Sequence, residues 1–112
     1  MRNYLDIPLT LIVMVILTLA LLWPVDQPPP GPEWLDKIAH FIAFAVLAFP
    51  LARTGRFSLL SVFIGASTFG GIIELLQPNF NRSSDVNDWI ADTLGVLLGI
   101  GCGLIYKLLR EY

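Results

Sequence analysis

Residues 85–103 read DVNDWIADTLGVLLGIGCG, and this stretch decides how the chain is built. Its acids and spaced glycines fall at Asp85, Asp88, Asp92, Gly95, Gly99 and Gly103, in steps of 3, 4, 3, 4 and 4. At about 100° per helical residue, these positions share a stripe roughly 80° wide. Gly95, Gly99 and Gly103 repeat the GxxxG spacing, which lets a second backbone approach closely inside a membrane. The carboxylates on the same stripe are therefore turned toward protein rather than lipid. A carboxylate in or near hydrocarbon costs a few kcal/mol at least, so by default it marks a functional site.

The rest of the chain fits a membrane setting. Of its 112 residues, 55% are hydrophobic and only 14% charged, with a mean hydropathy of +0.70. A soluble domain this small needs far more surface charge, about 25–35% of its exterior. The composition therefore predicts one membrane domain, residues 1–112, with no room for a second. Cys102 stands alone in an apolar run, which excludes an intramolecular disulfide and predicts a small buried hydrophobe. A net charge of −2 with no basic tract excludes a nucleic-acid partner. P-loop and nucleophile-elbow patterns are absent from the sequence.

Four apolar runs predict an all-α bundle of four transmembrane helices near 7–23, 35–52, 57–76 and 88–109. The first is short, with Pro8 in its opening turn, where a missing N–H is tolerated. It reads as an uncleaved anchor, because Leu22-Trp23-Pro24 offers no small-residue cleavage site. Residues 24–33 hold five of the eight prolines and form an extended connector between Trp23 and Trp34, two interfacial aromatics. Arg53-Thr54-Gly55-Arg56 is a basic turn, and residues 77–84 are a polar loop in which Ser83 and Ser84 read as turn and cap residues.

Alternate helix ends share a side of the membrane. One side carries Arg2, Arg53, Arg56, Lys107 and Arg110; the other carries only Lys37 and Arg82. Short loops rich in Lys and Arg stay in the cytoplasm, so both termini are expected there. The polar clusters then fall at the outer face.

Those clusters are Asp36, Lys37 and His40; Glu74 and Gln77; and Arg82, Asp85, Asp88 and Asp92. Glu74 shares a helical face with Ser67, Gly70 and Gly71, and Asp36 lies one turn from His40, so the three clusters are expected to converge. Capping accounts for Asp36, Asp85 and Asp88 about as well as chemistry does. It does not account for Asp92, deeper in its helix, or for Glu74, near a helix C-terminus where the macrodipole repels an acid. The cations available to Glu74 on that side are Lys37, Arg82 and protonated His40.

The segments DKIAHFIAFAVL (36–47), Glu74-x-x-Gln77 and RSSDVNDWIADTLGVLLG (82–99) resemble the VanZ-like family. The resemblance runs from Trp34 to about Tyr106, with motifs in the family's order. Its characteristic positions carry over to Asp36, Lys37, His40, Phe41, Glu74, Gln77, Arg82, Asp85, Asp88, Asp92 and Gly95. Many relatives carry Asn where this chain has Asp92, which makes this site the more acidic one. The resemblance implies a bacterial, multi-pass protein of the cytoplasmic membrane linked to the cell envelope. The family's namesake confers low-level resistance to the glycopeptide teicoplanin.

The expected chemistry is acid–base. His40, Asp36, Glu74 and Asp92 are the candidate catalytic groups, because clustered carboxylates push one another's proton affinities apart. Lys37, Gln77, Arg82, Asp85 and Asp88 are the candidate binding residues; Lys37 and Arg82 suit a phosphate or carboxylate on a membrane lipid or lipid-linked envelope intermediate. Whether the protein is an enzyme stays open. No cofactor or metal is expected; a divalent ion on Asp36, His40, Glu74 and Asp92 is a lesser alternative whose spacing matches no ligand signature. A scaffold held by an ion-pair network and a small proton-linked carrier are the rivals. The glycine faces at Gly70, Gly71, Gly95, Gly99 and Gly103 serve either internal packing or a homo-oligomer.

Overall fold

A computed structural model describes residues 5–23, 33–80 and 86–110. Within them every regular element is helical: α1 (Asp6–Leu22), α2 (Glu33–Thr54), α3 (Leu59–Leu76), a 3₁₀ turn (Gln77–Phe80) and α4 (Val86–Arg110). The helices α2, α3 and α4 are each long and apolar enough to cross a membrane, whereas α1, with 17 residues, is a shorter apolar helix.

Local chemistry sets the boundaries. Asp6 opens α1, where a carboxylate suits the positive end of the helix dipole, and it accepts a hydrogen bond from the Ile7 N–H at 2.8 Å. Gly55, at φ +71°, turns the chain after α2 in a left-handed conformation that glycine adopts without strain. Ser58 then caps α3, its hydroxyl accepting from the Ser61 N–H at 3.1 Å, so α3 starts at Leu59 rather than at Phe57. Pro50 does not end α2, which runs on to Thr54. Proline removes one N–H from the helix interior, and close by Thr10 of α1 donates to the Leu47 carbonyl at 3.4 Å.

Contacts at the helix ends fix the up-and-down order. Lys37 near the start of α2 meets Asp88 near the start of α4, and Gln77 just past α3 donates to the Leu21 carbonyl at the end of α1. At the opposite end Asp6 meets Thr54 and Arg56, and Gly55 lies against the side chain of Lys107. The helices α2 and α4 are therefore parallel. They are also the most intimate pair in the bundle, and the glycine stripe explains why. A Cβ added at Gly95 would overlap the Phe41 carbonyl oxygen, one at Gly99 that of Ala45, and one at Gly103 would stand 2.7 Å from the Ala52 Cβ. In this chain the stripe on α4 packs inside the bundle.

The core between the helices is small and apolar: Phe44, Leu47, Ala48 and Ala52 of α2, with Val62, Val96 and others. Many of the largest hydrophobic side chains point outward, including Leu11, Ile12, Val15 and Ile16 of α1 and Leu60 and Leu75 of α3. In water such a surface would be an aggregation liability; in a bilayer it is the solvent-facing side. Cys102 belongs to this outer surface, correcting the expectation that it is buried. Thr18 and Thr93 bond their hydroxyls back to the carbonyls of Met14 and Trp89, at 2.7 and 3.0 Å, so neither is left unsatisfied against lipid.

Candidate functional site

The polar interior is concentrated where α2 and α4 begin. Asp36, Lys37 and His40 lie on the first two turns of α2, and Asp88 and Asp92 on the first two turns of α4. Because the helices are parallel and in glycine contact, these turns lie side by side.

His40 is the centre of the cluster. It is 2% exposed, and its Nδ1–H donates to Asp92 Oδ1 at 2.7 Å, a length typical of charge-assisted bonds. Asp92 is fully buried. Its position beside α3 depends on Gly70, whose missing side chain leaves room for it: a Cβ there would sit 3.1 Å from Asp92 Oδ2. Gly71 likewise accommodates Trp89, whose indole N–H donates to the Ser67 carbonyl at 3.0 Å and ties α4 to α3. The other imidazole nitrogen, Nε2, faces Asp36 Oδ2 at 3.7 Å, too far for a hydrogen bond. The Lys37 ammonium pairs with Asp88 Oδ1 at 3.1 Å. The Asp36 and Lys37 side chains are 42% and 30% exposed, so the cluster is open at its rim and closed beneath by His40 and Asp92.

Several buried polar atoms in this half of the bundle have no hydrogen-bond partner among the described residues: Asp92 Oδ2, Ser67 Oγ and Gln77 Oε1. Each such atom costs about 1–3 kcal/mol if it stays unmet.

The structure brings Asp36, Lys37, His40, Asp88 and Asp92 together. Gln77 is 2% exposed but turns its amide to α1, donating from Nε2 to the Leu21 carbonyl at 3.2 Å. Glu74 is 5% exposed and engaged in an interaction. Of the cations weighed for it, Lys37 pairs with Asp88, and His40 faces Asp92 and Asp36. Arg82 and Asp85 lie outside the described residues. The grouping that a metal would require is also different from the one weighed in the sequence: Asp36, His40 and Asp88, without Glu74, place one ligand atom each within 4.8 Å of one another.

One buried charge escaped the sequence reading. Asp6 is fully buried at the opposite end, where it accepts from Arg56 Nη1 at 2.8 Å and from the Thr54 hydroxyl at 2.9 Å. The available signal was an acid immediately before an apolar run, facing a basic turn that is adjacent once the helices alternate. This cluster is nearly saturated with partners and joins α1 to the α2–α3 turn.

A model of the VanZ/LLP1 family matches residues 3–110. Among curated proteins and among solved structures, nothing matches significantly. The family match takes in nearly the whole sequence, including the helix pair that carries His40 and Asp92, and on that basis the chain belongs to the VanZ/LLP1 family.

Proposed function

We propose that this VanZ-family membrane protein binds and acts on the anionic headgroup of a lipid-linked cell-envelope component, with His40 as the proton-transfer group. The observation that carries this reading is the His40–Asp92 pair, buried at 2.7 Å beneath a rim of exposed charge. A carboxylate bonded to Nδ1 fixes the ring and leaves Nε2 directed at the open side, the arrangement a general acid or base needs. Lys37 at the rim supplies positive charge for a phosphate or carboxylate, and Asp36 lies beside the reacting nitrogen.

The scaffold alternative, an ion-pair network serving only as internal glue, fits less well. Structural networks satisfy their members, because a partly satisfied buried network is worse than an apolar core. Asp92 Oδ2 and Ser67 Oγ lack partners among the described residues.

In this reading α1 is a fourth, short span, both termini are cytoplasmic, and the site opens at the outer face of a bacterial cytoplasmic membrane. Residues 36, 37 and 40 then sit at headgroup depth, where a lipid-linked substrate presents its phosphate. A contribution to glycopeptide tolerance would follow from altered handling of such a lipid.

The test is incubation of the purified protein in nanodiscs with a polyprenyl phosphate and a polyprenyl diphosphate, against zwitterionic lipid. Retention and conversion are read by mass spectrometry. Preferential retention or conversion of the phosphorylated lipids, lost in folded His40→Gln, supports the proposal. Equal treatment of all three lipids by the folded wild type refutes it.

A further inference from the structure

We infer that Asp36, His40 and Asp88 bind one divalent cation of the borderline class that accepts both imidazole and carboxylate, such as Mn²⁺ or Zn²⁺. One ligand atom from each residue lies within 4.8 Å of the other two. Ligand distances of about 2.0–2.2 Å place coordinating atoms about 3–4 Å apart, so a side-chain shift of about 1 Å closes the set. The two acids come from different helices held rigidly by glycine contacts, which positions them without loop movement.

The imidazole points to a ligand independently of the acids. His40 is 2% exposed, and its Nε2 makes no hydrogen bond among the described residues; Asp36 Oδ2, at 3.7 Å, is beyond hydrogen-bond reach. Its Nδ1 is already committed to Asp92 at 2.7 Å. A ring nitrogen of a buried histidine left open toward two carboxylates, with the opposite nitrogen donating to a third, is how metal-binding histidines are held. Asp92 thus acts as a positioning residue that orients the imidazole.

Among the described residues, the carboxylates of Asp36, Asp88 and Asp92 face one ammonium, Lys37. Lys37 holds Asp88 Oδ1 at 3.1 Å and is the internal competitor that an entering cation displaces. The exposed rim at Asp36 and Lys37 is the route in. Three protein ligands leave coordination positions for water and for an anionic headgroup. The ion and the proposed proton transfer use the same Nε2 lone pair, so proton transfer belongs to the ion-free chain and the loaded chain only holds a headgroup; that holding rests on the proposed function, whereas binding of the ion does not, because it is measured without lipid.

The experiment is titration of the metal-stripped, detergent-solubilised full chain with Mn²⁺, read by electron paramagnetic resonance and calorimetry, and with Zn²⁺ by calorimetry. One saturable site per chain is expected. Asp36→Asn, at the half-exposed rim, should fold and bind at least 100-fold more weakly; Asp92→Asn should bind about 10- to 100-fold more weakly, the usual effect of losing an orienting carboxylate. Lys37→Met should bind more tightly than wild type. Thermal melting of each variant establishes that it is folded. No saturable binding of either ion by folded wild type, or unchanged affinity in folded Asp36→Asn, would overturn the inference.

Discussion

At the scale of single residues, two fully buried aspartates at opposite ends of the bundle, Asp6 and Asp92, behave differently. Asp6 accepts from Arg56, Thr54 and the Ile7 N–H, so its charge is well compensated. Replacing Arg56 by Gln leaves a fully buried carboxylate with neutral donors only, which should cost about 2–4 kcal/mol; loss of a buried ion partner typically costs about 3–5, and Arg56 is partly exposed. Arg53, whose guanidinium lies 5.8 Å from the Tyr106 ring, should lose no more than about 1 kcal/mol in Arg53→Gln. Unfolding in mixed micelles measures both. Asp92 bonds only His40 and has one oxygen unmet among the described residues. Asp92→Ala strands the Nδ1–H and should destabilise by about 1–3 kcal/mol, whereas Asp92→Asn keeps an acceptor and should stay within about 1 kcal/mol of wild type. Asp92 stood out in the sequence because capping could not explain an acid that deep in α4. Asp6 did not, because its partners are some fifty residues away.

At the scale of elements, the parallel α2–α4 pair is what assembles the site. Gly95 and Gly99 stand against the carbonyl groups of Phe41 and Ala45, so any side chain there must push the helices apart. Gly99→Ala should destabilise by at least about 1–3 kcal/mol and, by separating Asp36 and His40 from Asp88, abolish cation binding as well. Gly101, two residues along, has nothing within 4 Å of an added Cβ, and Gly101→Ala should be neutral or stabilising by up to about 1 kcal/mol. Unfolding curves for this pair of variants separate steric contact from general helix propensity. The stripe on α4 was legible because periodicity survives in any helix. Its partner was not, since a glycine spacing says that something comes close without saying which helix. The ends were less legible: with Ser58 as its cap, α3 starts two residues inside the apolar run, and α2 runs two residues past 52, to Thr54.

At the scale of the whole molecule, an apolar exterior surrounds a bundle with a polar cluster at each end. Five of the seven Lys and Arg residues fall on the side of the chain that carries Asp6 and Gly55, so a reporter fused to Tyr112 should be active only in the cytoplasm. Activity outside would place the His40 end at the inner face and remove the outer-leaflet substrate. The sequence carried the membrane class, which follows from composition, and the inward turn of the acids on α4, which follows from helical period. The place of Gln77 was harder to see: it shares the polar pattern, but its turn toward the Leu21 carbonyl depends on bundle geometry that no local pattern encodes. The account turns on whether the His40 cluster performs chemistry or merely holds the helices together. The most direct test is His40→Gln, which keeps an N–H to donate to Asp92, measured for thermal unfolding and for handling of polyprenyl phosphates in the same nanodisc preparation. The predicted result is a melting temperature within a few degrees of wild type with loss of lipid-phosphate retention or conversion; a folded variant that handles these lipids as wild type does would contradict it.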